Sequence, residues 1–154
     1  MAKLAVTIRD YSNEYSSFAL PVQEPADGAA FITLRDTEVP NLITAVQAIT
    51  VGNVAKHHLV LNETEVNDIA VTEKWAQREI GLRLFYEDTV NGRKGYVTIA
   101  APDLDVVADA NSDQVDLTGI TAINTLVTWM EANMLSRDGN AVQFYKGFIV
   151  GRRN

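Results

Sequence analysis

Leu4, Val6 and Ile8 alternate with Ala5, Thr7 and Arg9, the period of two that sends successive side chains to opposite faces of a strand. Phe18, Leu20 and Val22 repeat the pattern after the turn-like run Asp10-Tyr-Ser-Asn-Glu14. Pro21 has no N–H to give to a ladder, which puts this second strand at an edge. Between Gln23 and Arg35, Pro25, Asp27 and Gly28 signal a loop, although residues 29–34 are apolar enough for a short strand or helix. Asp36 or Thr37 is placed to cap a helix entered at Glu38, with Pro40 tolerated in its first turn. Leu42, Ile43, Val46 and Ile49 form one apolar stripe, and Gly52 can end that helix in a left-handed conformation. A strand over residues 56–61 closes the first half, with Leu59 and Leu61 on one face.

The second half carries a clearer hairpin. Ile80, Leu82, Leu84 and Tyr86 alternate with Gly81, Arg83, Phe85 and Glu87. Asn91-Gly92 offers the two positive-φ positions of a tight turn, and Tyr96 and Thr98 alternate with Val97 and Ile99 on the return. Asp116 or Thr118 is placed to cap a helix whose apolar face is Ile120, Ile123, Leu126, Val127, Met130 and Met134. In the last strand Val142, Phe144, Phe148 and Val150 share a face that Lys146 interrupts, against Gln143, Tyr145 and Ile149.

Each half therefore reads as hairpin, helix and strand. The expectation is an α+β fold of two ββαβ-like repeats, sharing antiparallel sheets and two amphipathic helices. Residues 1–61 form the first half, 62–79 a connecting arm and 80–154 the second half, in one compact domain overall. The arm holds Val66, Ile69, Val71 and Trp75, apolar groups that seek cover on this chain or on a neighbour.

Composition narrows the functional classes. The 154 residues are 47% apolar and 21% charged, a balance that supports a core and opposes disorder. No apolar run is long enough to cross a bilayer as a helix, and Met1-Ala-Lys-Leu4 enters a strand pattern at once, leaving no signal-peptide core. Cysteine is absent, which excludes disulfides and thiolate metal sites. A net charge of −7 opposes general nucleic-acid binding. Charge is nonetheless uneven: Asp103, Asp105, Asp109, Asp113 and Asp116 crowd one segment, while the chain closes on Arg152-Arg153. Patches of opposite sign can steer copies of one molecule together.

Catalytic chemistry is hard to assemble from these residues. His57 and His58 are the only histidines, and as neighbours in a strand they face opposite ways. The acidic run 103–113 suggests a calcium loop but lacks its glycine at the sixth position and its glutamate at the twelfth, where Gln114 stands. No glycine-rich phosphate loop occurs. Glu79, Arg83 and Glu87 share a strand face that could line a pocket between the halves or simply face solvent. No cofactor and no enzymatic activity are expected.

The stretch Lys74-Trp-Ala-Gln-Arg-Glu-Ile-Gly-Leu-Arg-Leu-Phe-Tyr-Glu-Asp88 resembles small virion structural proteins of tailed bacteriophages. So do Ser136-Arg-Asp-Gly-Asn-Ala-Val142 and Ile149-Val-Gly-Arg-Arg153. The resemblance implies a particle component with no catalytic residues, placed in the virion after assembly in the host cytoplasm. Its partners would be copies of itself, as a trimer, and other virion proteins such as the major capsid protein. A capsid decoration or cement protein is the favoured role; a tail-tube protein is the alternative, and a small-molecule-binding α+β domain is a third. Three copies of a two-unit chain would give a pseudo-sixfold ring. The candidate interface residues are Trp75, Arg78, Tyr145, Phe148, Arg152 and Arg153.

Overall fold

The computed structural model describes residues 2–9, 15–50, 53–61, 81–100 and 112–151. The arm, with Trp75 and Arg78, the acidic residues Asp103, Asp105 and Asp109, Gly52, and the terminal Arg152 and Arg153 lie outside them.

Strands β1 (Ala2–Arg9) and β2 (Tyr15–Val22) are followed by a helix in three parts. These are α1 (Gly28–Thr33), a π-helical turn (Leu34–Glu38) and α2 (Val39–Ala48). Strand β3 (Asn53–Val60) closes the first half. The second half contains β4 (Gly81–Asp88), β5 (Lys94–Ala100), a short β6 (Gln114–Val115), helix α3 (Thr121–Asn133) and β7 (Val142–Val150). All strand pairing is antiparallel, in a three-stranded sheet β2-β1-β3 and a four-stranded sheet β5-β4-β7-β6. The fold is α+β.

Both sheets put the leading strand of their half in the middle, β1 between β2 and β3 and β4 between β5 and β7. Each central strand also has one register shift against the closing strand, at Thr7/Ile8 and at Phe85/Tyr86. The halves differ as well. Strand β6 has no counterpart among the described residues of the first half, and the first helix is longer and irregular.

Alternation in β1 buries Ala2, Leu4, Val6 and Ile8, which meet Val22, Leu20 and Phe18 across the ladder. A fully buried side chain of this size contributes about 1.5–3 kcal/mol. Strand β2 is an edge strand, as Pro21 requires.

The first helix starts earlier than the sequence pattern suggests. Asp27 is its N-cap, its Oδ1 accepting the Ala30 N–H at 2.8 Å, so residues 28–35 are helical rather than loop. Asp36 and Thr37 lie inside the helix and cap nothing. A proline within a helix clashes with the carbonyl four residues earlier. Here the wider π turn ends just before Pro40, and Val39 donates to the Leu34 carbonyl, five residues back. The chain continues as helix past Pro40 instead of starting there.

Helix α3 buries Ile123, Leu126, Val127 and Met130, with Met134 just beyond it. Its N-cap is Ile120, with no side-chain cap. Asp116 instead closes the preceding turn, its Oδ1 accepting the N–H groups of Gly119 at 2.9 Å and Thr118 at 3.0 Å. These bonds, that of Gly119 first, hold its carboxyl below the ordinary value.

The two halves share one core, built from both sheets and both helices. Trp129 ties them directly: its Nε1 donates to the Glu38 carbonyl at 2.7 Å while its ring is buried. Beside it the Gln23 N–H donates to the Asn133 carbonyl at 2.8 Å, and Val22 bridges to Met134. Among the described residues no helix is long and apolar enough to cross a membrane.

Candidate interaction surface on the second sheet

The face of the second sheet turned toward the helices is regular. Leu82 sits between Ile99 and Ile149, and Leu84 between Val97 and Gly147. Gly147 lets the Leu84 and Leu117 side chains pack close, since a Cβ there would lie 2.8 Å from Leu84 Cδ2 and 3.1 Å from Leu117 Cδ2 and push them aside. Further along, Tyr86 faces Phe144 edge-on, ring centroids 5.7 Å apart.

Between these rows β7 changes face. Phe85 pairs with Lys146 and Tyr86 with Phe144, so Tyr145 is an extra residue in β7, a β-bulge. Val142 and Phe144 point inward before it, Gly147 and Ile149 after it. This corrects the expected strand face: Phe148 and Val150 do not join Val142 and Phe144 in the core. Lys146, which broke the alternation, marks the place.

The opposite, outward face collects aromatic rings and cations. Phe85 lies between Tyr96 and Lys146, and Arg83 between Thr98 and Phe148. Phe85 contacts Tyr96 and Phe148 with centroids 5.7 and 6.0 Å apart. The Arg83 guanidinium stands 4.6 Å over the Tyr96 ring, and its Nε donates to Thr98 Oγ1 at 3.1 Å. Lys146 Nζ lies 5.1 Å from the Phe85 ring centre and 5.7 Å from those of Tyr145 and Phe148. Lys94 Nζ is 5.5 Å from the centre of Tyr145. Tyr96 is 56% and Tyr145 43% exposed. Each cation is held over a ring, a contact worth about 0.5–1 kcal/mol at exposed sites. Glu87, opposite Lys94, is the acidic member of this face.

Two of the residues singled out from sequence, Tyr145 and Phe148, are thus brought together on one surface. Arg83 and Glu87 share it too, on the sheet face away from the core, while Glu79 lies outside the described residues. The contributions of Phe85, Lys94, Tyr96 and Lys146 went unread as a group. The available signal was the adjacent pair Phe85-Tyr86, whose rings must project from opposite faces of β4.

At the end of this sheet a polar clasp fixes two turns. Asp88 and Ser136 are both buried, and Ser136 Oγ donates to Asp88 Oδ2 at 2.6 Å. Asn140 Nδ2 donates to the same oxygen at 3.1 Å, while Oδ1 accepts Val90 N–H at 2.8 Å and Asn91 N–H at 3.1 Å. Burial pushes the Asp88 carboxyl up, but the bonds from Ser136, Val90, Asn91 and Asn140 outweigh it and bring it to about 2. Such a carboxylate is a poor base, and Ser136 Oγ also accepts the N–H groups of Asp138 and Asn140, each at 3.2 Å. These hydrogen bonds tie the turn after β4 to the turn before β7. They also explain the turn itself. Gly92 N–H reaches the Asp88 carbonyl at 2.9 Å, and only Gly92 has positive φ, 73°. The connection is therefore a longer loop rather than the two-residue turn suggested by Asn91-Gly92.

His57 and His58 are exposed on β3, and no cluster of three potential metal ligands occurs among the described residues. No protein-family model, no curated protein and no solved structure matches this chain.

Proposed function

We propose that this chain is a structural protein that works by packing against other protein molecules, as a component of a phage-like particle. Within that reading it is a capsid decoration protein that stabilises a head by binding its surface. The outward face of the second sheet is the observation that carries the assembly role. Aromatic residues and arginine are enriched where proteins meet, and Arg83, Phe85, Tyr96, Tyr145 and Phe148 are gathered on one face of a small fold. The particle assignment rests on the sequence resemblance to virion proteins.

Two measurements test the reading. Light scattering over a range of concentrations should show self-association, or binding to purified particles should be saturable. Immunogold labelling in electron micrographs should then mark heads. Label along tails would move the assignment to the tail. A chain that stays monomeric, binds no particle and turns over a small molecule would overturn it.

A further inference from the structure

We propose that the aromatic–cationic face of the second sheet docks on the acidic surface of a second copy of this chain, in a head-to-tail contact. This rests on the assembly reading above and specifies its geometry. The chain has 20 acidic and 13 basic residues. Among the described residues this face carries one acid, Glu87, and three bases, Arg83, Lys94 and Lys146, against nine acids and six bases at the other described positions. A cationic patch on a chain of net charge −7 is complementary to the chain's own acidic excess.

The same distribution selects the symmetry. A two-fold contact of this face with itself would set two surfaces of net positive charge, three bases against one acid on each among the described residues, toward each other. An isologous dimer through this surface is therefore disfavoured. A heterologous contact places the cations against carboxylates, and repeated contacts of that kind close into a ring or run on as a filament. The rings add the apolar part of the contact. Tyr96 and Tyr145 carry exposed faces beside the cations, and Tyr supplies contact area at low conformational cost.

Each ring–cation pair is already ordered before docking. Lys146 is held among Phe85, Tyr145 and Phe148, and Arg83 between Tyr96 and Thr98. Side chains fixed in advance lose less freedom on association.

The test uses the full chain in sedimentation velocity at about 50 and about 500 mM salt, a range over which exposed charges pass from weakly to strongly screened. Wild type should associate beyond a dimer at low salt and less at high salt. Lys94→Glu/Lys146→Glu should raise the concentration needed for assembly about tenfold or more, as expected when charged contacts of an interface are reversed. Lys94→Gln/Lys146→Gln should fall between the two, and circular dichroism melts should be close to wild type for both. The inference is overturned if both variants assemble like wild type, or if the oligomer is a salt-insensitive dimer. It is also overturned if wild type stays monomeric, and particle binding by that monomer would leave the assembly reading intact. A fluorescent single-stranded oligonucleotide is the last arm: tight binding lost in the Glu variant would replace the second copy with nucleic acid.

Discussion

The two sheets share a strand order and an apolar inner face, yet their outward faces have little in common. On the first sheet the central outward positions of β1 and β2 hold Ala5, Thr7, Ser17 and Ala19, and Thr7 Oγ1 meets Ser17 Oγ at 2.9 Å. Lys56 and His58 of β3 lie beside them, with Lys3 and Arg9 further along β1. On the second sheet the matching positions of β4 and β5 hold Arg83, Phe85, Tyr96 and Thr98. The first face has small residues at its centre with basic side chains around them; the second has a cluster of large aromatic rings among its charges. The inner faces answer to a common demand, a shared core with two helices over it. The outer faces do not line that core, and under the proposed function their difference reflects what each meets outside the fold.

That contrast can be broken from the inside first. Leu84→Ala should cost about 2–5 kcal/mol, the range for emptying a fully buried leucine site. Because one core joins the halves through Trp129 and the Met134 bridge, urea unfolding should shift as one transition. Two separated transitions would show that the sheets are independent bodies.

The polar clasp of the second sheet gives the next effect, and its sign follows from Asp88. Its folded carboxyl titrates at about 2, below the ordinary value of 3.8. The contribution is therefore complete above the ordinary value and is lost as pH falls from there through about 2. Melting temperature from pH 5 to 2 should drop in wild type, and less steeply in Asp88→Asn, which should already be less stable at pH 5. Parallel curves would remove Asp88 from the acid response.

Outward substitutions should do least to stability and most to separate the faces. Phe85→Ala removes two aromatic contacts, each worth about 0.5–1.5 kcal/mol beyond burial, and should weaken self-association as well. Thr7→Ala on the first sheet loses one exchangeable hydroxyl contact, about 0.5–1.5 kcal/mol at most, and should leave association unchanged. Equal effects on association would erase the functional distinction between the faces.

Much of the architecture is written in local periodicity. The alternation of β1, β2, β4 and β5 and the apolar stripe of α3 needed no tertiary knowledge, because each element must turn one face to a core. Tyr145 is likewise legible as an aromatic on the face opposite Phe144, whereas strict alternation puts Phe148 on the Phe144 face. Three features were decided by contacts distant in sequence. The helix runs through Pro40 because a π turn precedes it, and Trp129 then anchors that junction from the other half of the chain. The loop after β4 is set by Asp88, whose partners Ser136 and Asn140 lie far along the sequence. The bulge at Tyr145 swings Phe148 outward beside Phe85 and brings Gly147 to the inside against Leu84. Periodicity records which residues a strand can hide; only packing against other segments decides where that period slips, and here the slip builds the surface.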